Sequence, residues 1–294
     1  MLENLTTEKR NENTKHLDQL SALEFATVMN HEDQKVALAI ATILPEIAEV
    51  IELLGKQYRA GGRIIYIGAG TSGRIGVLDA VECVPTFGVS FDEFIGIIAG
   101  GERAFVRAVE GAEDSRELAV NDLAAIDLQP VDVVIGIAAS GRTPYVISGL
   151  EYANEIGART VAVACNIGSA IGAAAQHKLE VDAGPEVLTG STRLKAGSAQ
   201  KMILNMLSTG AMVQAGKVFG NLMVDVQLTN EKLVERAKRI IIDATGVSYE
   251  QAEQVLHKAE NKPKVAIVMI KANCDYQEAV NRLNQADGFI SRAI

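Results

Sequence analysis

The chain contains no tryptophan, and aromatic residues make up only 4% of its 294 positions. That scarcity speaks against a surface that stacks nucleobases or sugar rings. Cysteine is rare too: Cys83, Cys165 and Cys274 are scattered, odd in number and form no C-x-x-C. They read as reduced, buried thiols of a cytosolic protein, neither a disulfide framework nor a zinc site. The histidines are His16, His31, His177 and His257, with no pair at ligand spacing, so no metal is expected. No apolar run reaches the roughly 20 residues that span a bilayer, and the polar N-terminus lacks the core of a signal peptide. The expectation is a soluble, cytoplasmic protein. A net charge of −9 argues against nucleic-acid or anionic-membrane partners. It leaves room for a small anion held by a few local donors.

What is present is ample apolar residue, 48% against 22% charged, enough for one large domain with appendages or for two. Residues 1–20 read as an extended arm. Ser21-Ala-Leu-Glu24 has capping-box spacing and opens a short helix to about Asn30, with a longer one expected from Glu32 to Ala60. Gly61-Gly62 stops it. Short apolar strands then alternate with helices: Arg63–Ile67, Phe94–Ala99, Asp132–Ala138, Thr160–Ala164 and Lys178–Asp182. Runs such as Val131–Ala138 are apolar without alternation, as strands covered on both faces are. The pattern predicts right-handed βαβ crossovers and an α/β three-layer sandwich on a five-stranded parallel sheet. After Gly197 the chain reads as wholly helical. Residues 198–220 form a largely buried helix with a polar stripe at Lys201, Asn205 and Ser208. A charged amphipathic helix spans Thr229–Ala244, and cap patterns at Ser248 and Asp275 mark about three short helices beyond. The expected division is 1–54 (arm and helices), 55–221 (sheet domain) and 222–294 (helical subdomain).

Ligands of such sheets sit beyond the carboxyl ends of the strands, which decides the loops that matter. Gly68-Ala-Gly70-Thr-Ser-Gly73 lies there and matches G-x-G-x-x-G. A dinucleotide reading needs an acidic residue ending the second strand, but Asp92 and Glu93 precede that strand, at its wrong end. The other reading sets the Thr71 and Ser72 hydroxyls and helix amides around one phosphate. Ser140-Gly141-Arg142-Thr143 repeats that chemistry after the third strand. The bland alternative, a polar cap for each helix, weakens when two such turns share one end of a sheet. Arg74 and Arg142 are available to add charge, or to face solvent. Among the carboxylates, Glu82 sits where the first helix of the sheet domain is expected to end, beside apolar Val81, Cys83 and Val84, surroundings that raise a pKa. Glu110, Glu113 and Asp114 cluster at a helix start, and Glu186 follows the fifth strand. Residue chemistry alone does not choose among them.

Several long stretches together resemble one family, the N-acetylmuramic acid 6-phosphate etherases. They are Leu5–Asp18, Ile65–Asp79, Val109–Ser115, Gly136–Tyr145 and Gly184–Asn205. The likeness runs from the arm to at least Asn221, and the helical tail follows only in outline. Val81 and Val84 stand where more polar or Pro residues are usual, and Ser198 replaces a usual Thr. The resemblance implies a sugar isomerase (SIS) domain, a homodimer without cofactor, and release of D-lactate from the sugar phosphate in cell-wall recycling. It maps catalytic roles onto Glu82 and Glu113. Substrate binding falls to Gly70, Thr71, Ser72, Gly73, Ser140, Gly141, Arg142, Thr143, Glu186, Ser191 and Lys195. Two rivals stand beside it: an aldose–ketose isomerase with Glu186 as base, and a non-enzymatic sugar-phosphate sensor like the glucokinase regulatory proteins.

Overall fold

A computed structural model describes residues 5–228 and 230–294. Five parallel strands form the central sheet: β1 (Ile64–Gly68), β2 (Phe94–Ile98), β3 (Val133–Ala138), β4 (Arg159–Ala164) and β5 (His177–Glu180). Their order is β2-β1-β3-β4-β5. Gly68 at the end of β1 pairs with Ile98 on one side and Ile137 on the other, so those strand ends are level. The central strands β1 and β3 are apolar and buried throughout because both faces are covered, whereas β4 opens on exposed Arg159 and the edge strand β5 reads His177-Lys178-Leu179-Glu180. Ile64, Tyr66, Ile135 and Val163 point to one layer, and Ile65, Val134, Ala138 and Ala162 to the other. The first layer holds α1 (Ala22–Ile40), α2 (Leu44–Arg59), α3 (Gly70–Phe87) and α8 (Lys195–Gln214). The second holds α5 (Arg116–Ala125), α6 (Pro144–Ile156) and α7 (Ala170–Ala174), while the short α4 (Glu102–Val106) follows β2. The expected three-layer sandwich is present.

Several boundaries differ from expectation. The Asn30-His31-Glu32 run does not break a helix: α1 continues to Ile40, a 3-10 turn spans Ala41–Ile43, and α2 starts at Leu44 with Pro45 in its first turn. Pro45 has no amide to offer α1, which makes this the natural joint. Helix α3 runs well past Ala80 and carries Pro85 within its last turn. Pro85 offers no amide to the carbonyl four residues back, yet the helix runs on to its stop at Gly88, in the left-handed region at φ 65°. Helix α8 starts three residues earlier than expected, at Lys195, and the chain after it is not wholly helical. Val218–Phe219 (β6) and Leu222–Met223 (β7) make a small antiparallel hairpin.

The helical subdomain has its own core, from Val224 to Ala293. It contains α9 (Glu231–Thr245), α10 (Tyr249–Lys258), α11 (Pro263–Lys271), α12 (Tyr276–Gln285) and α13 (Ile290–Ala293). Asn230 caps α9 by accepting from the Leu233 amide; Thr229, the expected start, lies outside the described residues. Ser248 forms the anticipated capping box and Asp275 caps α12, and residues 247–294 hold four short helices where about three were expected. Asp225, paired with Lys264 of α11 at 2.6 Å within the subdomain, also lies 3.7 Å from Lys217, just beyond the end of α8.

Candidate active site

The strand order places a topological switch between β1 and β3. From β1 the chain crosses to β2 through α3 on one face; from β3 it crosses to β4 through α6 on the other. The two turns therefore diverge and leave a crevice between them, where ligands of open α/β sheets bind. Helices α1, α5 and α7 are closed by the hydroxyls of Ser21, Ser115 and Ser169. Helices α3 and α6, at the crevice, have no side-chain cap. Among the described residues, the amides of Gly70, Thr71 and Ser72 donate to nothing within the chain, and the first helical bond of α3 is Gly73 to Ala69. Open first-turn amides with the positive helix end behind them are a ready anion cradle.

Glycine at 73 is a matter of space. A Cβ there would lie 2.6 Å from the Gly68 carbonyl oxygen, so only glycine lets α3 begin against the strand end. In the second turn Gly141 adopts φ +71°, and a Cβ would meet that of Ser169 at 2.3 Å. The half-buried Ser140 hydroxyl accepts from the Arg142 amide at 3.3 Å, while Thr143 occupies the first-turn boundary of α6 with its hydroxyl unbonded. Arg142 is exposed, and Arg74 is committed to the carbonyls of Ala104 and Phe105 at 2.8 Å each. Thr71 is half-buried and packs by Gly197 of α8, whose own N-terminus thus lies beside that of α3.

Helix α8 is plugged from within. Both oxygens of Glu186, 1% exposed, accept from its first amides, Lys195 and Ala196, at 2.9 Å. Burial pushes the Glu186 carboxyl above its usual range despite those bonds. Lys195, also 1% exposed, places its ammonium 2.8 Å from Glu32 of α1. Burial alone would raise Glu32, but donation by Lys195, Lys35 and Asn13 prevails and holds it at about 2. Glu186 and Lys195 are thus engaged with the protein itself, whereas Ser191 lies half-buried in the turn ahead of α8. The arm stiffens this loop: Asn11 donates to the Pro185 carbonyl, Thr14 to that of Val187, and Thr6 to Asp182. Residues 5–20 are short 3-10 turns docked along it.

Glu113 lies exposed on the rim of a cleft of about 210 Å³ that also includes Gly70, Arg74 and Glu110. It stands next to the first turn on the same chain. Glu82 does not. It is the thirteenth residue of α3, about 18 Å along the helix from Gly70, and exposed. Its apolar company is in part exposed as well, Val81 at 45% and Leu78 at 42%. The helix end expected at Glu82 is therefore an outward-facing stretch of mid-helix.

Three side chains near the crevice carried no sequence signal beyond a helical face. Gln200 of α8, 1% exposed, accepts at Oε1 from the Ser72 hydroxyl at 3.0 Å. Asn166, after β4, donates to the Ala139 carbonyl and to Thr7 of the arm. Buried Asp79 takes the Tyr66 hydroxyl at 2.9 Å and Lys201 at 3.2 Å, so Lys201 of the expected polar stripe reaches α3, while Asn205 is exposed. Burial pushes the Cys83 and Cys165 thiols up to about 12, while Cys274 is only half-buried. Among the described residues, no three His, Cys, Asp or Glu side chains cluster to hold a metal, and no helix is long and apolar enough to cross a membrane.

Fold and turns together define a sugar isomerase domain, and comparison with known families agrees. The profile for the glucokinase regulatory protein N-terminal SIS domain matches residues 46–154, the general SIS domain 113–210, and the C-terminal lid domain of glucokinase regulatory protein 220–265. Among solved structures, a phosphoheptose isomerase from Francisella tularensis aligns with a TM-score of 0.52 at 17% identity, covering 66% of this chain and all of that one. A Bacteroides fragilis putative phosphosugar isomerase aligns at 0.51 and 19% identity, over 74% of this chain and 97% of its own. At those identities the likeness shows the fold alone. The family comes from sequence. N-acetylmuramic acid 6-phosphate etherases of Exiguobacterium sp. and Geobacillus thermodenitrificans are 58% and 57% identical over 294 residues, the whole of both chains. The chain belongs to the N-acetylmuramic acid 6-phosphate etherase family.

Proposed function

We propose that the protein is a carbon–oxygen lyase that cleaves the D-lactyl ether of N-acetylmuramic acid 6-phosphate, giving N-acetylglucosamine 6-phosphate and D-lactate. Full-length identity with etherases is the single observation that carries this reading. Water does not displace an unactivated alkoxide from an ether at useful rates, so the bond has to be made eliminable. Ring opening exposes an aldehyde at C1, which acidifies the proton on C2. A carboxylate takes that proton, lactate leaves C3 with proton assistance, and water adds back to the unsaturated aldehyde. The open amides of α3 and α6, with Thr71, Ser140 and Thr143 beside them, anchor the phosphate and so orient the reacting carbons. Glu113, on the cleft beside Gly70, is one acid/base; Glu82 is assigned to lactate departure and water return. An isomerase using Glu186 is disfavoured, because both of its carboxylate oxygens are engaged by α8. The working unit is a cytoplasmic enzyme of cell-wall amino-sugar recycling, with 55–221 as the sugar-phosphate domain between an arm, 1–54, and a helical subdomain, 222–294.

Glu82 lies too far along α3 to meet Glu113 on its own chain, which favours a homodimer whose sites each borrow Glu82 from the other protomer. The partly exposed Leu78 and Val81 beside it, with Phe105 and Val106 exposed on α4, form an apolar face suited to that contact. Mixing tests both ideas. Glu82→Gln and Glu113→Gln enzymes are each expected to lose D-lactate release. Dissociated and reassociated in equal amounts they regain about a quarter of wild-type activity, since half the dimers are mixed and each carries one intact site. An intact enzyme that releases no D-lactate overturns the etherase reading. Inactive mixtures, with mixed dimers verified, overturn the shared site.

A further inference from the structure

Among the described residues, two buried side-chain polar atoms have no hydrogen-bond partner: Gln200 Nε2 and Asn166 Oδ1. Each belongs to a side chain bonded directly to one of the two turns, Gln200 to Ser72 and Asn166 to the Ala139 carbonyl. Buried polar groups are nearly always paired, and exceptions concentrate where function requires them. Gln200 is the more informative, since its partner is a hydroxyl. A serine hydroxyl has one proton. In the structure that proton points inward, to Gln200 Oε1, so Ser72 has none left for an anion at the open end of α3.

An amide has two faces. Turning the Gln200 carboxamide end for end puts Nε2 against Ser72 Oγ, and the serine then accepts from Gln200 and turns its own proton outward. The turn exchanges one unpartnered atom for another within the same pocket, so the two arrangements are close in energy and an anion at the helix end selects the second. We propose that Gln200 is a positioning residue that switches Ser72 from inward donor to phosphate donor through this amide rotation. No other side-chain type of that length offers both a donor and an acceptor without charge, which accounts for a glutamine on the buried face of α8 with Ala196, Ala199 and Ile203. Gln200 does not touch the ligand; it acts through Ser72. The proposal rests on the reading of the α3 turn as a phosphate anchor.

A double-mutant cycle tests it, read as the Kd for N-acetylglucosamine 6-phosphate by calorimetry and as KM and kcat for lactate release. Ser72→Ala is expected to weaken binding about tenfold, the worth of one hydrogen bond to a charged group, with kcat changed far less. An unchanged Kd in Ser72→Ala sinks the anchor reading itself. Gln200→Met keeps the volume and removes both polar faces. It is expected to weaken binding several-fold in the wild-type background and to have no further effect in Ser72→Ala. Equal losses in both backgrounds, or no loss in either, overturn the relay while leaving the anchor standing. Gln200→Glu supplies a second route should the methionine variant fold poorly. Glutamate only accepts, so it holds the Ser72 proton inward; binding at wild-type strength in this variant also overturns the proposal.

Discussion

The Lys195–Glu32 pair allows a strut to be told apart from a ligand. Lys195 lies at the start of α8, where its resemblance to the family would make it a phosphate contact, yet its ammonium is buried against Glu32. Removing either partner has unequal consequences. Glu32→Leu leaves a buried ammonium with no carboxylate within salt-bridge distance, a loss of about 3–5 kcal/mol. Lys195→Met strands only one oxygen of Glu32, because the other still receives Lys35 at 2.6 Å and Asn13 at 3.0 Å. About 1–3 kcal/mol is expected there. With both removed, the apolar pair costs little. Urea unfolding of the three variants at pH 7 should rank them Glu32→Leu least stable, Lys195→Met intermediate, and the double variant nearest wild type.

Acid adds a second readout. Glu32 is held at about 2 against an ordinary 4.5, so its contribution is full above pH 4.5 and is lost as pH falls through 2, amounting to about 3 kcal/mol. That part of the acid sensitivity should be missing in the double variant. If Lys195→Met is as destabilising as Glu32→Leu, the reasoning from the second set of donors fails. If the double variant is stable but binds N-acetylglucosamine 6-phosphate a hundredfold more weakly, Lys195 is a ligand after all and the pair opens in the complex.

Two further outcomes are expected. Gly141→Ala should lose at least about 2 kcal/mol, from a side chain forced to positive φ and into Ser169, and should raise KM as the second turn moves; unchanged melting would refute the geometry. Glu186→Gln turns one acceptor into a donor against the α8 amides, costing about 1–3 kcal/mol of stability, while saturating substrate should still release D-lactate at near the wild-type rate. A folded variant that binds phosphosugar but releases no lactate would make Glu186 a catalytic group.

The strands and both glycine turns are legible because their signals are local. Unbroken apolar runs report burial on both faces, and glycine reports close backbone approach at 68 and 73 and a positive φ at 70 and 141. The misjudged positions owe their state to distant residues. Asn30-His31-Glu32 looks like a helix break from its polarity, but Glu32 is polar in order to meet Lys195, 163 positions away. The polar stripe of α8 is legible as a stripe, but the partner of Lys201, Asp79 on a neighbouring helix, is not. Glu82 reads as a helix end, and only Gly88 in the left-handed region shows that α3 runs on to Phe87. A hairpin with two residues per strand is too short for any periodicity to show.

The same distinction explains why Glu186 looked like a candidate for catalysis. Three long helices, α3, α6 and α8, begin around one crevice, and each positive end favours an anion. An anion supplied by the chain occupies one of them permanently: Glu186 at α8, sealed and locked by the arm through Pro185 and Val187. The other two stay open. A carboxylate after the fifth strand, read without its partners, is therefore ambiguous between a base and an internal cap, because both need a buried acid at a helix start. Two of the cations nearby are likewise committed, Lys195 to Glu32 and Arg74 to the α4 carbonyls, while Arg142 stays exposed at the second turn. At the first turn, a phosphate bound as proposed would then meet neutral amide and hydroxyl donors. Donors of that kind act only at contact distance, so the direction of a single serine proton, and the glutamine behind it, carries weight that a lysine-lined site would have made irrelevant.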